Sequence, residues 1–346
     1  MTKQEPLLEV KNLVVEIPTR REKLIALDKV SFEIYPGEVL GVVGESGAGK
    51  SMVGNSVIGL LGAPAHVAGG EILLNGRRID NLKESEKEKI RGASIGAIFQ
   101  DPLTSLNPLF TIGDQMIETI RVHSNLSEQQ AREKAISLLA QTGVPAPERR
   151  IDNYPHQFSG GMRQRVVIAL ALSADPKLII ADEPTTALDV SVQAQIIELL
   201  KKLCVGNGTA VMLVTHDMGV IAETADRVAV MYAGTLVEIG PVEEMVRQAR
   251  HPYTIGLVNA IPRISDQRDT LQQIPGSMPR LSKVPKGCPF HPRCPIADEK
   301  CVRERPNLVG ETNHLCACWK AGEVKADVPV FPPEPFTIRA PEDMPR

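Results

Sequence analysis

Apolar residues along this chain follow two rhythms. Short β-branched and aliphatic runs predict strands at Leu7 to Ile17, Val30 to Ile34 and Glu38 to Val43, separated by turn or charged residues. Further runs follow at Glu71 to Asn75, Ser94 to Phe99, Lys177 to Glu183 and Thr209 to Thr215. Arg227 to Tyr232 and Thr235 to Ile239 predict a hairpin around Ala233-Gly234. Between the strands the spacing turns helical, over Thr111 to His123, over Ser127 to Gln141 and in MRQRVVIALAL from Met162. Ser127 and Gln130 fit a capping box, and Ala135, Leu138 and Leu139 share one face. Val192, Ile196, Leu200 and Leu203 mark an amphipathic helix, which puts Cys204 in the interior as a structural thiol. Strands alternating with helices predict a mainly parallel α/β core with an antiparallel part at its start and a helical insertion. Ligands of such a sheet gather at the C-terminal ends of its strands.

The residues at those ends carry chemistry. Val42 to Ser51, VVGESGAGKS, runs from a strand into a glycine-rich turn with the spacing G-x-x-x-x-G-K-[ST]. The backbone of Gly44, Glu45, Ser46, Gly47, Ala48 and Gly49 can converge N–H donors on a phosphate chain, and side chains at the glycines would block that approach. The helix that follows favours an anion at its N-terminus. Lys50 can reach the β- and γ-phosphates, and Ser51 can place its hydroxyl on Mg²⁺. Gln100, closing the strand before Asp101-Pro102, can ligand Mg²⁺ or position a water. Asp182 and Glu183 end KLIIADE: the first is expected to hold Mg²⁺, the second to polarise the attacking water. His216, just past a buried strand, can contact a γ-phosphate. Ser159-Gly160-Gly161 opens a helix and is a second anion-binding candidate. No aromatic residue precedes Phe32 to stack on a base, so Ile17 or Ile25 is expected to pack there instead.

Composition narrows the classes. The 346 residues are 42% hydrophobic and 23% charged, as in globular proteins, with room for one large domain or two modest ones. A net charge of −3 with both signs interspersed points to no nucleic-acid surface, and 3% aromatics leave few stacking platforms. MTKQEPLLEVKN lacks an apolar stretch, so no secretory signal is expected and the chain is expected to remain cytoplasmic. The uncharged stretch from Ser51 to Gly70 is interrupted by Gly54, Gly59, Gly62 and Pro64 and is not a membrane span.

Five of the six cysteines fall between Cys288 and Cys318, in a Pro-rich region that starts near Pro262. Their spacing is Cys288-x5-Cys294-x6-Cys301, then Cys316-x-Cys318. In a cytoplasmic protein such a cluster suggests metal rather than disulfides, and four thiolates can hold zinc or a [4Fe–4S] cluster.

Over roughly residues 6 to 260 the motifs together resemble the ATP-binding subunit of ABC transporters: GESGAGKS, the Q-loop Gln100, the signature FSGGM at Phe158 to Met162, LIIADE, the D-loop ALD at Ala187 to Asp189 and the switch His216. Phe158 and Met162 replace the commoner Leu and Gln of the signature, with Ser159-Gly160-Gly161 retained. The resemblance implies an ABC-type P-loop NTPase domain with an antiparallel β subdomain and a helical subdomain over about 103–175. It implies two such domains pairing head to tail around two ATP molecules, each held between one subunit's phosphate loop and the other's signature. Glu183 would then be the general base and His216 the γ-phosphate sensor, and Gln100 would link nucleotide to the membrane subunit. TSLNP at Thr104 to Pro108, HPYT at His251 to Thr254 and GCPFHPRCP at Gly287 to Pro295 look like the oligopeptide/dipeptide (peptide/nickel) importer subfamily. That resemblance makes residues 261–346 a small Cys-rich extension. It implies uptake of peptides or related small solutes, with a second and related ATPase chain, two permeases, an extracytoplasmic solute-binding protein, and a peripheral place on the cytoplasmic face of the cell membrane. It also implies, for at least some members, a [4Fe–4S] cluster whose last ligand precedes an aromatic residue, which selects Cys288, Cys294, Cys301 and Cys318 (before Trp319) and leaves Cys316 spare, with zinc, or reduced thiols without metal, as the alternatives. Other readings are a soluble ABC ATPase of DNA repair or translation, which usually carries two ATP domains or a long coiled-coil insertion absent here, and a metal-binding regulatory module, which leaves the ATPase motifs unexplained.

Overall fold

A computed structural model describes residues 5–185, 190–206, 208–261, 273–311 and 313–323. Strands β1 (Leu8–Pro18) and β2 (Lys23–Ile34) form an antiparallel pair, and β3 (Val39–Val43) leaves them for a second sheet. β4 (His66–Leu74) and β5 (Arg77–Arg78) return to the first, which has the order β2-β1-β4-β5. β6 (Ile95–Ile98), β7 (Leu178–Asp182), β8 (Ala210–Thr215) and β9 (Arg227–Tyr232) join β3 in parallel. β10 (Thr235–Pro241), β11 (Val309–Glu311) and β12 (His314–Cys316) continue that sheet antiparallel, giving the order β11-β12-β10-β9-β3-β8-β7-β6.

The parallel strands are apolar on both faces because each face meets its own core. Val39 and Val43 face a cluster built with the helical region, while Leu40 and Val42 face one built with the antiparallel sheet and the helix Lys50–Ile58. Ile179 and Ala181 against Leu178 and Ile180, and Val211 and Leu213 against Met212 and Val214, divide in the same way.

The helical insertion holds helices Ile112–His123 and Glu128–Gln141, followed by Gly160–Leu172. The Ser127–Gln130 capping box forms, Gln130 N–H donating to Ser127 Oγ at 3.3 Å and Ser127 N–H to Gln130 Oε1 at 2.9 Å. A second box, Thr111 with Asp114, sets the preceding helix. The helix Val190–Val205 buries Ile196 and Leu200 and encloses Cys204, whose thiol burial pushes up to about 12.

Three expectations change. β4 starts at His66 rather than Glu71, because β1 pairs back as far as Glu16↔His66 across a register shift. β2 likewise starts at Lys23 and not at Val30, pairing with Pro18. The segment after Pro262 is not wholly irregular: β12 extends the main sheet through Glu238↔Cys316 and Ile239↔Leu315. Three-residue strands carry too little periodicity to be read from sequence.

Candidate functional site

The parallel register brings the strand ends to one edge. Val43 pairs with Thr215, Asp182 with Val214 and Ile98 with Ala181, so the turns after β3, β6, β7 and β8 open side by side. A cavity of about 1000 Å³ lies there, lined by Gly44 to Met52, Gln100, Glu183 and His216. That volume is at the upper end for a small-molecule site.

The phosphate loop owes its path to two glycines. Gly44 has φ 155°, and a Cβ there would stand 2.4 Å from Met231 O. Gly49, at φ 104°, is the N-cap of Lys50–Ile58 and offers no side-chain cap, which leaves the first N–H groups of that helix to a ligand. The β9–β10 turn braces the loop from below, with Gly234 N–H donating to Ala48 O at 2.9 Å. Ala233 and Gly234 both take positive φ, as a tight hairpin turn requires.

Lys50 Nζ donates to Gly44 O at 2.8 Å and Glu45 O at 3.2 Å. Burial pulls its pKa down, opposed by the carboxylates of Glu183, Asp182 and Glu45. Ser51 Oγ donates to Asp182 Oδ1 at 3.0 Å. Burial pushes the Asp182 carboxyl up, the Ser51 hydroxyl pulls it down and Glu183 pushes it up. Gln100 Nε2 donates to Glu183 Oε2 at 3.2 Å, and His216 Nδ1 lies 3.4 Å from Glu183 Oε1. Glu183 takes φ 46°, a left-handed conformation costly for a non-glycine residue, held by its N–H on Val214 O at 2.8 Å. The Ser51 hydroxyl and the Asp182 carboxylate, 3.0 Å apart, are both hard oxygen donors.

Ser159, Gly160 and Gly161 are placed elsewhere and do not line this cavity. Ser159 caps its helix, accepting from Met162 N–H at 3.4 Å, with Gly160 exposed beside it. Phe158 is buried with the Arg150 guanidinium 5.8 Å from its ring centre, which seats the aromatic variant of the signature in the helical region's core. Ala187 to Asp189 lie outside the described residues. Ile17 and Ile25 do not line the cavity; Ala26 does, together with Leu257 and Met278 to Leu281 from the C-terminal region. Sequence reasoning had no signal for those last residues, which reach the cavity only through tertiary packing.

Two C-terminal motifs pack behind the loop. His251 is buried, and its Nδ1 caps the helix Pro252–Asn259 by accepting from Tyr253 N–H at 3.1 Å. Burial lowers its pKa to about 4, against the pull of Glu238. Tyr253 Oη accepts the N–H of Glu45 at 2.8 Å. The Tyr253 ring packs on Tyr232 and Phe290, with centroids 4.8 and 5.3 Å away.

Cys288, Cys294, Cys301 and Cys318 line one small, largely apolar cavity with Phe290 and Trp319; Cys316, in β12, is not part of its wall. All are free thiols. Gly287 is required beside them, since a Cβ there would stand 2.4 Å from the carbonyls of Cys301 and Val302. Among the described residues no group of three or more His, Cys, Asp or Glu side chains is gathered closely enough to hold a metal ion. The same residues include no helix long and apolar enough to cross a membrane.

Comparison with known proteins adds to this geometry. Residues 27–186 match the family model described as ABC transporter, and residues 237–301 match that of the oligopeptide/dipeptide transporter C-terminal region. The chain is 47% identical over 319 residues to the oligopeptide transport ATP-binding protein OppD of Escherichia coli K12, covering 92% of this chain and 94% of that protein. It is 46% identical over 317 residues to the dipeptide transport ATP-binding protein DppD of Bacillus subtilis, covering 91% and 95%. Among solved structures it matches the dimeric post-hydrolysis state of the ATP-binding cassette MJ0796 bound to ADP and Pi, with a TM-score of 0.61 and 31% identity over 68% of this chain and 98% of that one.

Proposed function

The chain belongs to the ABC transporter ATPase family, in its oligopeptide/dipeptide branch, and on that premise we propose that it is the subunit whose ATP hydrolysis drives import of peptides or related small solutes. The observation that carries the reading is the meeting of the phosphate loop with Gln100, Glu183 and His216 around one cavity.

In this reading residues 6–260 form the ATPase domain and 261–346 its extension. The backbone of Gly44 to Gly49 and the ammonium of Lys50 bind the phosphates. Lys50, whose ammonium is held on its own loop's carbonyls, exchanges those partners for phosphate oxygens. Ser51, Asp182 and Gln100 would hold Mg²⁺, which would supply electrostatic neutralisation of the phosphate charge. Glu183 accepts the proton of the attacking water, aimed by Gln100 and His216, which already meet its two oxygens. His216 senses the γ-phosphate. Ser159-Gly160-Gly161 complete the site of a second ATPase chain; their separation from this chain's own cavity supports an arrangement in which each signature serves the partner's nucleotide. The partners are that related ATPase chain, two permeases and an extracytoplasmic binding protein, and the place is peripheral on the cytoplasmic face of the membrane.

Cys288, Cys294, Cys301 and Cys318 would hold a [4Fe–4S] cluster. Their shared cavity and the exclusion of Cys316 support that ligand set. Zinc held by the same thiolates is the alternative. A cluster there would cross-link the extension, outside the nucleotide motifs.

Purification of the chain from its native membrane, with mass spectrometry of what accompanies it, tests the function. Two permeases and a second ATPase are expected. A soluble, partnerless protein would move the assignment to the non-transport ABC ATPases.

A further inference from the structure

The segment between Cys288 and Cys294 carries a residue the ATPase reading leaves unused. Arg293 reaches the phosphate loop and grips Glu45 with both ends of its fork, Nη1 on Oε2 at 2.9 Å and Nη2 on Oε1 at 3.0 Å. Its side chain is only 7% exposed. A bidentate ion pair whose guanidinium is nearly buried is the kind that fixes geometry.

The remaining donors point elsewhere. Arg293 Nε donates to Pro275 O at 2.7 Å and Nη2 to Ile274 O at 3.2 Å. Those carbonyls begin the segment whose residues Met278 to Leu281 wall the nucleotide cavity. Met278 Cγ lies 4.0 Å from where a Cβ on Gly47 would stand, so this segment rests on the crown of the phosphate loop. Arg293 itself is held by a short turn, its N–H on Phe290 O at 2.9 Å, and its guanidinium lies 5.8 and 5.9 Å from the ring centres of Tyr232 and Phe290.

We propose that Arg293 is a positioning residue for the ATP site: by clamping Glu45 from behind and the Ile274–Leu281 segment from beside, it holds the phosphate loop in its binding shape and makes the C-terminal extension part of the nucleotide site. This rests on the ATP-site reading above. The guanidinium lies behind the loop, so it acts through Glu45 and the segment and not on the phosphates. Arg293 adjoins Cys294, so the order of the cysteine cavity and the order of the loop share one short piece of backbone.

The test uses the full chain with Arg293→Met, Arg293→Lys, Glu45→Gln and the Arg293→Met/Glu45→Gln double variant. ATP affinity is read by equilibrium binding, kcat at saturating ATP, and loop order by amide exchange across Glu45 to Ser51. Arg293→Met is expected to weaken ATP binding about 10-fold, with kcat within about twofold and faster exchange in the loop. Arg293→Lys, which keeps the charge but loses the fork, is expected to recover part of the affinity. The double variant should lose little more than either single one, since both remove the same contact. A lowered melting temperature with unchanged ATP affinity and loop exchange would make the pair merely structural and overturn the proposal, as would fully additive losses. If Arg293→Met does not fold, Glu45→Gln decides by the same two readouts. Failure of the unaltered chain to bind ATP would instead overturn the ATP-site reading.

Discussion

The hydroxyl of Ser51 and the carboxylate of Asp182, 131 residues apart in sequence, meet at 3.0 Å. One closes the phosphate loop and the other closes β7, and the parallel register of β3, β8 and β7 is what aligns them. In the proposed mechanism this pair holds Mg²⁺. Asp182→Asn keeps the shape and removes the charge. It should raise the Mg²⁺ concentration needed for half-maximal ATP hydrolysis at least about 10-fold, as Mg²⁺ titration of steady-state turnover will read. An unchanged requirement would displace Asp182 from the metal.

Glu183 sits between Gln100 and His216 in a strained left-handed backbone. Glu183→Gln removes the base without altering the loop. ATP binding should persist and hydrolysis should fall by about 10² to 10⁴, the usual contribution of a general base. Equilibrium binding and single-turnover hydrolysis, measured on the same preparation, separate the two effects. Normal turnover would overturn the assignment.

Lys50 is the buried cation of the phosphate loop. Lys50→Ala should weaken ATP binding itself, by about 10-fold or more, because a charge-assisted contact to phosphate is worth about 1.5–3 kcal/mol. Isothermal titration measures this directly, and an unaltered ATP affinity would contradict the role.

His251 accepts a backbone N–H through Nδ1 and is therefore neutral in the fold, with its pKa lowered to about 4 by burial. Unfolded, it titrates near 6.5. Between those values the unfolded chain binds more protons, so this residue's contribution to stability is full above about pH 6.5 and declines as pH falls toward 4. The loss should be about 2 kcal/mol at pH 5 relative to pH 7. Urea unfolding at the two pH values checks it. His251→Asn, which keeps a capping acceptor and does not titrate, should flatten the difference.

Cys318 lines the four-thiol cavity and Cys316 does not, although a single residue separates them. β12 ends at Cys316, which pairs with Glu238 of β10 inside the sheet, while Cys318 follows beyond the strand. Anaerobically purified chain is expected to carry iron and acid-labile sulfide, lost in Cys318→Ser and kept in Cys316→Ser. Stoichiometric zinc without iron would sink the cluster.

Much of this site was legible because its determinants are local. The phosphate loop must be glycine-rich to expose its N–H groups, and Gln100, Asp182, Glu183 and His216 each end an apolar run that could only be a buried strand. Once strands alternate with helices, the parallel sheet and the common edge follow, as do the capping box at Ser127 and the hairpin turn at Ala233-Gly234. The short strands β5, β11 and β12 were not legible, being too brief for any period to declare itself.

What the sequence determined by itself, then, is which polar residues close the strands along one edge and the family of the ATPase, since both are written in short contiguous motifs. What only the tertiary structure decided is how the C-terminal extension bears on that chemistry. Tyr253 and Arg293 stand 208 and 248 residues from Glu45, and no periodicity or spacing links them to it. They reach the phosphate loop because the buried ring cluster of Tyr232, Tyr253 and Phe290 folds the extension against the β9 side of the sheet. The same packing replaces the expected Ile17 or Ile25 at the cavity wall with Met278 to Leu281, because a wall is chosen by which surfaces are buried together and not by which residues are near in sequence.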